Sequence, residues 1–467
     1  MTPDDTRQPT TDAPPPRRGL TPFRRFLLIF GLLVLLGYAG IFLYQHWSRT
    51  RIEEDAVLAN ELHGARLVEN TDSPAGPGDW PQWRGPRRDG ISLETGLSFS
   101  WSEKGPKQLW EAPASEGYSG FAVAGGRLYL ILQNANNEEV VCWDAGTGEE
   151  KWRFPYPAHF TNGQGSGPRS TPIIDDGRVY TVGATGVLLC LDAATGEAYW
   201  RHDLLDEFDA SNLVWGVSFS PLIEGNLVLT NPGGSNGRSI VAFNKKTGEV
   251  VWKAFTSKAS YSSPIAVTAA GHRQVIFFTA NGPVGLAPEN GNVLWDYPFK
   301  NSTDVNAATP IAFSGKVGDA IQDYVFFSCN YDKGACLLKL VPEGNGIVAK
   351  RVYETRRMSN HFATSVRLGD QLYGFSEKML VCMDIKTGTV HWNQRGFASG
   401  SLTIADGKLI ILGEGGQLAV AEPTPDEYRE ITSFRFSKKR CWTVPVVANG
   451  RLYLRDEQRI ACYDLRK

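Results

Sequence analysis

The stretch LLCLDAATGEAYW, residues 188–200, decides the fold. Leu188 to Asp192 alternates as a strand with one face buried. Thr195-Gly196 then reverses the chain, with glycine supplying the positive φ that a tight turn requires. The Asp192 carboxylate is placed to cap that turn, and a second strand brings Trp200 onto the buried face. Three further stretches match it: VVCWDAGTGEEKW at 140–152, IVAFNKKTGEVVW at 240–252 and LVCMDIKTGTVHW at 380–392. A degenerate fifth copy, VGLAPENGNVLW at 284–295, keeps Asn290-Gly291 and the final Trp295. From Trp152 through Trp200, Trp252 and Trp295 to Trp392 the spacings are 48, 52, 43 and 97 residues, the last equal to two repeats. Stepping back 42 residues from Trp152 reaches Trp110.

A second element recurs upstream of these turns. It reads Gly126-RLYL, Gly177-RVYTVG, Gly225-NLVLT, Arg273-QVIFFT, Asp323-YVFFS, Asp370-QLYGFS, Gly407-KLIILG and Gly450-RLYLRD, eight copies in all. Before it stand inner-strand candidates such as Thr171-Pro172-Ile173, Ser220-Pro221-Leu222, Ser263-Pro264-Ile265 and Thr309-Pro310-Ile311. Four strands at a period of about 40–55 residues define propeller blades. The expectation is an all-β, eight-bladed β-propeller of four-stranded blades over residues 80–467, preceded by one transmembrane helix. The final Ile460-ACYDL is a third strand with no fourth after it. Gln108 to Glu111, carrying Trp110, is expected to supply that outer strand and close the ring. The structural repeat residues are then Trp110, Asp144, Trp152, Asp192, Trp200, Trp252, Trp295, Asp384 and Trp392.

Residues 1–25 are polar, with Pro14, Pro15 and Pro16 in a row, and read as a disordered cytoplasmic tail. Phe26 to Tyr44 carries no charge. As a helix that run spans about 28 Å, close to the hydrocarbon thickness of a bilayer. With Trp47 at the interface, residues 26–47 read as a transmembrane signal anchor. Arg17, Arg18, Arg24 and Arg25 before it put the N-terminus inside the cytoplasmic membrane and the propeller outside. The apolar run is longer than a signal-peptide core of about 7–15 residues. Residues 48–79 read as a linker, with a short helix from Ile52 to Leu62 and a breaker cluster at Ser73 to Gly78.

Composition narrows the function. Lys plus Arg is 48 against 50 for Asp plus Glu, so no basic excess favours nucleic acid. The seven cysteines include no C-x-x-C, which argues against a thiolate zinc site and attached haem. Cys142, Cys190, Cys382 and Cys462 each lie two residues before the repeat acid or its equivalent and read as core packing. Cys329 and Cys336 flank one hairpin, paired as a disulfide or free. Trp80 to Asp89 reads either as a strap packed on the propeller or as part of a binding site. Arg169, Trp215, Tyr261, Asn306, His361 and Trp442 precede successive inner strands and should converge on one funnel, mixing rigid aromatics with hydrogen-bonding groups.

The D-x-x-T-G-x-x-x-W unit at Asp144, Asp192 and Asp384, with Asn244 in the fourth copy, resembles the pyrroloquinoline-quinone (PQQ) repeat superfamily over roughly residues 80–467. Trp80-Pro81-Gln82-Trp83-Arg84-Gly85-Pro86 looks like the opening signature of a bacterial PQQ-like branch. The resemblance implies the propeller fold. It leaves two functions, because the superfamily holds quinoprotein dehydrogenases and also cofactor-free propellers, among them the lipoprotein scaffold of the outer-membrane protein assembly machinery. A dehydrogenase of this kind implies an adjacent cysteine pair and acidic metal ligands in the funnel, and neither stands in this sequence. The reading is a non-catalytic binding or scaffold module for protein or glycan partners, with no catalytic residues, no metal and no cofactor expected. The alternative is a PQQ- and Ca²⁺-dependent oxidoreductase of alcohols or sugars.

Overall fold

Strands form where the alternating apolar runs predict them, and glycine or Asx turns end many of them. The computed structural model describes residues 29–40, 61–62, 65–68, 78–344 and 346–467. They fall in two units, Met1–Val57 and Leu58–Lys467. In the first, residues 29–40 are helical and largely exposed. Among the described residues no helix is long and apolar enough to cross a membrane. The expected span at 26–47 is thus described only in its middle. The tail at 1–25 lies outside the described residues, and the expected helix at 52–62 is described only at 61–62, which are helical.

The second unit is an eight-bladed β-propeller. Seven sheets have four antiparallel strands in sequential order, and one has a fifth. Blade 1 runs Ala122–Ala124, Arg127–Asn134, Asn137–Asp144 and Glu150–Pro157 from the inside outwards. Blades 2 to 7 repeat this order, with inner strands at Ile173–Asp175, Leu222–Glu224, Ile265–Ala269, Ile311–Val317, Val366–Leu368 and Gly400–Ala405. Blade 8 takes Val446–Ala448, Arg451–Arg455 and Arg459–Asp464 from the C-terminus and Gln108–Pro113 from the start of the ring. Trp110 pairs with Cys462 across that closure, in the register the repeats predict. Part of the stretch expected as linker joins blade 5. Arg66–Val68 pairs with the far end of its inner strand, Arg66 opposite Lys316, and Leu62 and Ala65 are buried there.

The repeat has a shared physical design. Asp144 Oδ1 accepts the amides of Gly146 and Thr147 at 2.9 Å, and Asp192, Asn244 and Asp384 hold their own turns alike. Opposite each tryptophan on the third strand stands a small residue. The pairs are Cys142–Trp152, Cys190–Trp200, Ala242–Trp252, Gly285–Trp295, Cys382–Trp392 and Cys462–Trp110. The cysteines at this position are buried packing groups, as their spacing suggests, and burial raises their thiols, Cys462 to about 12. Cys329 and Cys336 form no disulfide, for Cys329 faces Gly334 and Cys336 faces Phe327 across their hairpin.

Blade-to-blade contact uses the same tryptophans. Trp110, Trp152, Trp200 and Trp252 donate Nε1–H to the carbonyls of Ala145, Ala193, Lys245 and Pro288, each in the turn of the next blade, at 2.8–3.2 Å. Trp392 reaches Thr424 at 2.8 Å, and in blade 5 the Tyr353 hydroxyl takes the same part with Ile385 at 2.7 Å. Trp295 departs from the pattern and donates to Gln274 within its own blade at 2.6 Å. The turn glycine sits against the ring. At Gly196, φ is +79° and a Cβ would lie 2.6 Å from Trp152, so both backbone and packing demand glycine.

Because both ends of the chain build blade 8, removing Ile460 to Lys467 should open the ring. Chemical denaturation should show a loss above the ~2–5 kcal/mol of a single large-to-small core substitution. An unchanged midpoint would place the closure elsewhere.

Candidate functional site

The central channel is stoppered by the segment that precedes the ring. Residues 78–94 touch all eight blades. Trp80 exchanges backbone hydrogen bonds with Val123 of blade 1, and Ile174 of blade 2 donates to the Pro81 carbonyl. Arg88 donates to the carbonyls of Pro221 and Pro264, at the inner strands of blades 3 and 4. Trp83 Nε1 donates to Thr309 Oγ1 of blade 5 at 2.9 Å, and Arg84 donates to Thr364 and Ser365 of blade 6. Gly90 and Ser92 pair with Ile404 of blade 7, and Ser92 Oγ reaches Val447 of blade 8. Gly85, at φ +82°, lies against the Trp80 ring, where a Cβ would approach to 2.9 Å.

Arg84 and Arg88 are 4% and 5% exposed. Burial lowers the Arg88 guanidinium to about 9 and that of Arg84 to about 10, the latter partly offset by Asp89. Both stay charged at neutral pH, with backbone carbonyls in place of water. The strap reading of Trp80 to Asp89 describes this packing. Its other reading also has a counterpart, because the Trp83 side chain lines the cavity above.

That cavity, of about 340 Å³, opens where the chain enters the inner strands. Arg169, Trp215, Tyr261, His361 and Trp442 all line it. Asn306 does not. It is fully buried, donating to the Thr279 carbonyl at 2.8 Å and accepting from Asn301 at 3.0 Å, while Val305 and Ala307 line the cavity on either side. Successive side chains of extended backbone point to opposite faces, so a one-residue offset separates a lining position from a packing one.

The lining also includes Tyr118, Tyr331 and Phe362, which sequence reasoning did not single out. Tyr118 and Phe362 stand before inner strands and carry the same positional signal as the named residues. Tyr331 comes from the hairpin between the second and third strands of blade 5 at φ +60°, and no repeat position marks it.

The rings pack in two groups. Tyr118 and Phe362 lie 5.2 and 5.3 Å from Trp442, and Trp215 lies 5.5 Å from Tyr261. Arg169 stacks over Tyr118 and Phe160, and its guanidinium donates to the carbonyls of Gly165 and Gly167 in its own loop. Burial lowers its pKa from the usual arginine value. Trp442 Nε1 donates to Glu414 at 3.0 Å, and the Tyr331 hydroxyl meets His361 Nε2 at 3.2 Å.

No Asp or Glu among the described residues lines the cavity. Among the described residues no group of three or more His, Cys, Asp or Glu is placed to hold a metal ion. The walls would stack a planar ligand, but the donor set does not fit a quinone held with a hard cation, which takes six to eight oxygen ligands. The arrangement suits binding of an apolar or aromatic group edged by a few polar contacts.

Fold and repeat define the class: an eight-bladed propeller of the PQQ-like repeat superfamily. The family model described as outer membrane protein assembly factor BamB matches residues 159–394, just over half of the chain, and the chain belongs to that family. The quinoprotein alcohol dehydrogenase PedH of Pseudomonas putida is 30% identical over 38% of this chain and 29% of its own length. The outer membrane protein assembly factor BamB of Shewanella oneidensis is 24% identical over 54% of this chain and 62% of its own. The matched region thus spans less than two thirds of either relative. Among solved structures, the quinohemoprotein alcohol dehydrogenase of Comamonas testosteroni has a TM-score of 0.62 at 12% identity, covering 88% of this chain and 84% of that one. BamB of Moraxella catarrhalis has 0.52 at 16%, covering 77% and 99%. At these identities the structural likeness shows the fold alone.

His361 supplies a check on the cavity's character. Desolvation lowers its pKa from 6.5, against the opposing fields of Glu414 and Glu377, so the ring is neutral at pH 7. Below pH 6.5 the unfolded chain takes the proton first, so stability is lost progressively as pH falls from 6.5 to the lower value of the folded His361. An NMR titration of His361 should give a midpoint under 6.5. A midpoint above it would mean a wetter or more acidic site.

Proposed function

We propose that the protein is a membrane-anchored, non-catalytic scaffold whose propeller lies on the extracytoplasmic side and binds a protein partner through the aromatic cavity. The observation that carries this reading is the lining itself, a cluster of tryptophan, tyrosine and phenylalanine rings with no carboxylate. Binding energy concentrates in such rigid aromatic anchors, while a metal-assisted oxidation has no carboxylate ligands to draw on there. Family membership supports the same reading, since the relatives that carry the family's description are named as assembly factors. The anchor rests on the uncharged run Phe26–Tyr44 and the arginines that precede it.

Capture from solubilised membranes with the full-length chain tests this. Trp215→Ala or Arg169→Ala should weaken capture of an extracytoplasmic protein at least about tenfold, equivalent to ~1.4 kcal/mol, with an unchanged denaturation midpoint. Retained capture by both variants, or capture of cytoplasmic proteins alone, would sink the proposal.

A quinoprotein reading is favoured by one observation, the stacking surfaces that Trp83, Trp215 and Trp442 offer, alongside the likeness to PedH. It is tested by incubation with PQQ and Ca²⁺. We expect neither stoichiometric uptake by absorbance nor dye reduction with alcohols or sugars. Uptake with turnover would replace the scaffold reading.

A further inference from the structure

The basic loop beside the cavity is not explained by the aromatic lining. Residues 436–445 link the outer strand of blade 7 to the inner strand of blade 8 and carry Lys438, Lys439 and Arg440 in succession, two residues before Trp442. Arg440 is committed locally. It stacks 4.5 Å from the Trp442 ring, donates to the Gln164 carbonyl at 2.9 Å and lies 3.6 Å from Glu457. Lys438 and Lys439 are exposed, and neither makes an ion pair among the described residues.

The two lysines line, with Arg435 and Arg459, an open depression of about 450 Å³. Its single acid, Asp456, is turned inward, accepting from Ser437 Oγ and from the amides of Gln458 and Arg459. Arg435 is tied to the Gly415 carbonyl, and Arg459 pairs with Glu111. The positive charge without a carboxylate partner is therefore that of Lys438 and Lys439, with Arg435 held on a neutral carbonyl beside them.

The charge around the cavity is mixed where hairpins meet it, with Glu414 bonded to Trp442 and Glu457 to Tyr118, and basic in the loops between blades. The loops 356–365 and 395–399, which lead into blades 6 and 7, add Arg356, Arg357 and Arg395, all exposed. With residues 436–445, these three loops contain no Asp or Glu. The loop into blade 3 instead carries Asp206, Glu207 and Asp209. A cavity of about 340 Å³ is at the small end of ligand pockets and takes one or two side chains, not a folded domain. Lys439 and Trp442 are three residues apart, so the cationic depression begins within about 10 Å of the aromatic wall.

We infer that the occupant of the cavity is an extended protein segment carrying an aromatic side chain with aspartate or glutamate within about three residues of it. The aromatic group packs among Trp215, Tyr261 and Trp442, and the carboxylates lie over Lys438 and Lys439. This rests on the protein-binding reading of the cavity and specifies the chemistry of the partner. Carboxylates across from unpaired lysines gain from long-range attraction that salt screens, whereas the aromatic contact is insensitive to salt.

The test uses the full-length protein in detergent with three short peptides: one with a Trp-Gly-Glu-Glu core, one with Trp-Gly-Lys-Lys and one with Ser-Gly-Glu-Glu. Anionic phospholipid vesicles and inorganic phosphate are the comparison probes. The first peptide should bind at least about tenfold more tightly than the other two, with affinity falling as salt rises. The double variant Lys438→Glu, Lys439→Glu should fold normally, lose that preference by about tenfold or more and favour the lysine peptide. Equal binding of the acidic and basic peptides, no effect of the charge reversal, or no binding of any peptide would overturn the inference. So would binding of vesicles or phosphate through Lys438 and Lys439 without peptide binding. If Trp215→Ala abolishes partner capture but the charge reversal leaves it intact, the scaffold reading stands and this inference falls. If Trp215→Ala changes neither peptide binding nor capture, both fall.

Discussion

The indole N–H of an outer-strand tryptophan, donated to a carbonyl in the turn of the next blade, is the contact on which the ring depends. Each bond is worth about 1 kcal/mol net, but it fixes the angle between blades by joining two rigid features, a buried ring and a capped turn. The turn is rigid because an Asx side chain holds two of its amides, and the ring is seated because glycine leaves room for it. The small residue opposite the tryptophan serves the same end. Cysteine, alanine or glycine there lets the large ring lie flat over the strand. Where Tyr353 replaces tryptophan in blade 5, its hydroxyl keeps the bond to the next blade.

A ring of eight blades leaves a channel, and the segment before the ring converts it into a blind cavity. Arg84 and Arg88 reach outward like spokes to carbonyls at the inner strands of blades 3, 4 and 6. Charged donors suit this role, since inner-strand carbonyls facing a narrow axis have no neighbouring strand to pair with and each unsatisfied one costs about 1–3 kcal/mol. Trp83 then forms part of the cavity lining and ties the plug to blade 5 through Thr309. The plug and part of the cavity lining are one piece of chain. A change in the plug therefore acts on the cavity without touching its rim.

The choice between a binding propeller and a catalytic one turns on the chemistry of the cavity. Both kinds of propeller bring loops together above the inner strands, so the fold by itself does not choose between them. The choice lies in which side chains those loops carry. Here they carry stacked aromatics and Arg169, whose guanidinium is held by its own loop, and the neighbouring carboxylates of Glu414 and Glu457 accept hydrogen bonds from the lining residues Trp442 and Tyr118.

The repeat made most of the architecture legible in the sequence. Strand alternation, Asx-capped turns and tryptophan spacing are local signals, and each recurs often enough to set the blade count and to place Gln108 to Glu111 in blade 8. The position before each inner strand was likewise readable, and five of the six residues chosen there share the cavity. Tertiary structure decided the rest. Asn306 turned inward because side-chain direction alternates residue by residue, and spacing measured in whole repeats does not resolve one position. Tyr331 entered the lining from a hairpin with no repeat signature. Trp83 bonds to Thr309, 226 positions away, and a contact at that separation leaves no local pattern. The same holds for the two buried arginines: their composition reads as surface charge, and only the closed ring supplies the carbonyls that make them interior.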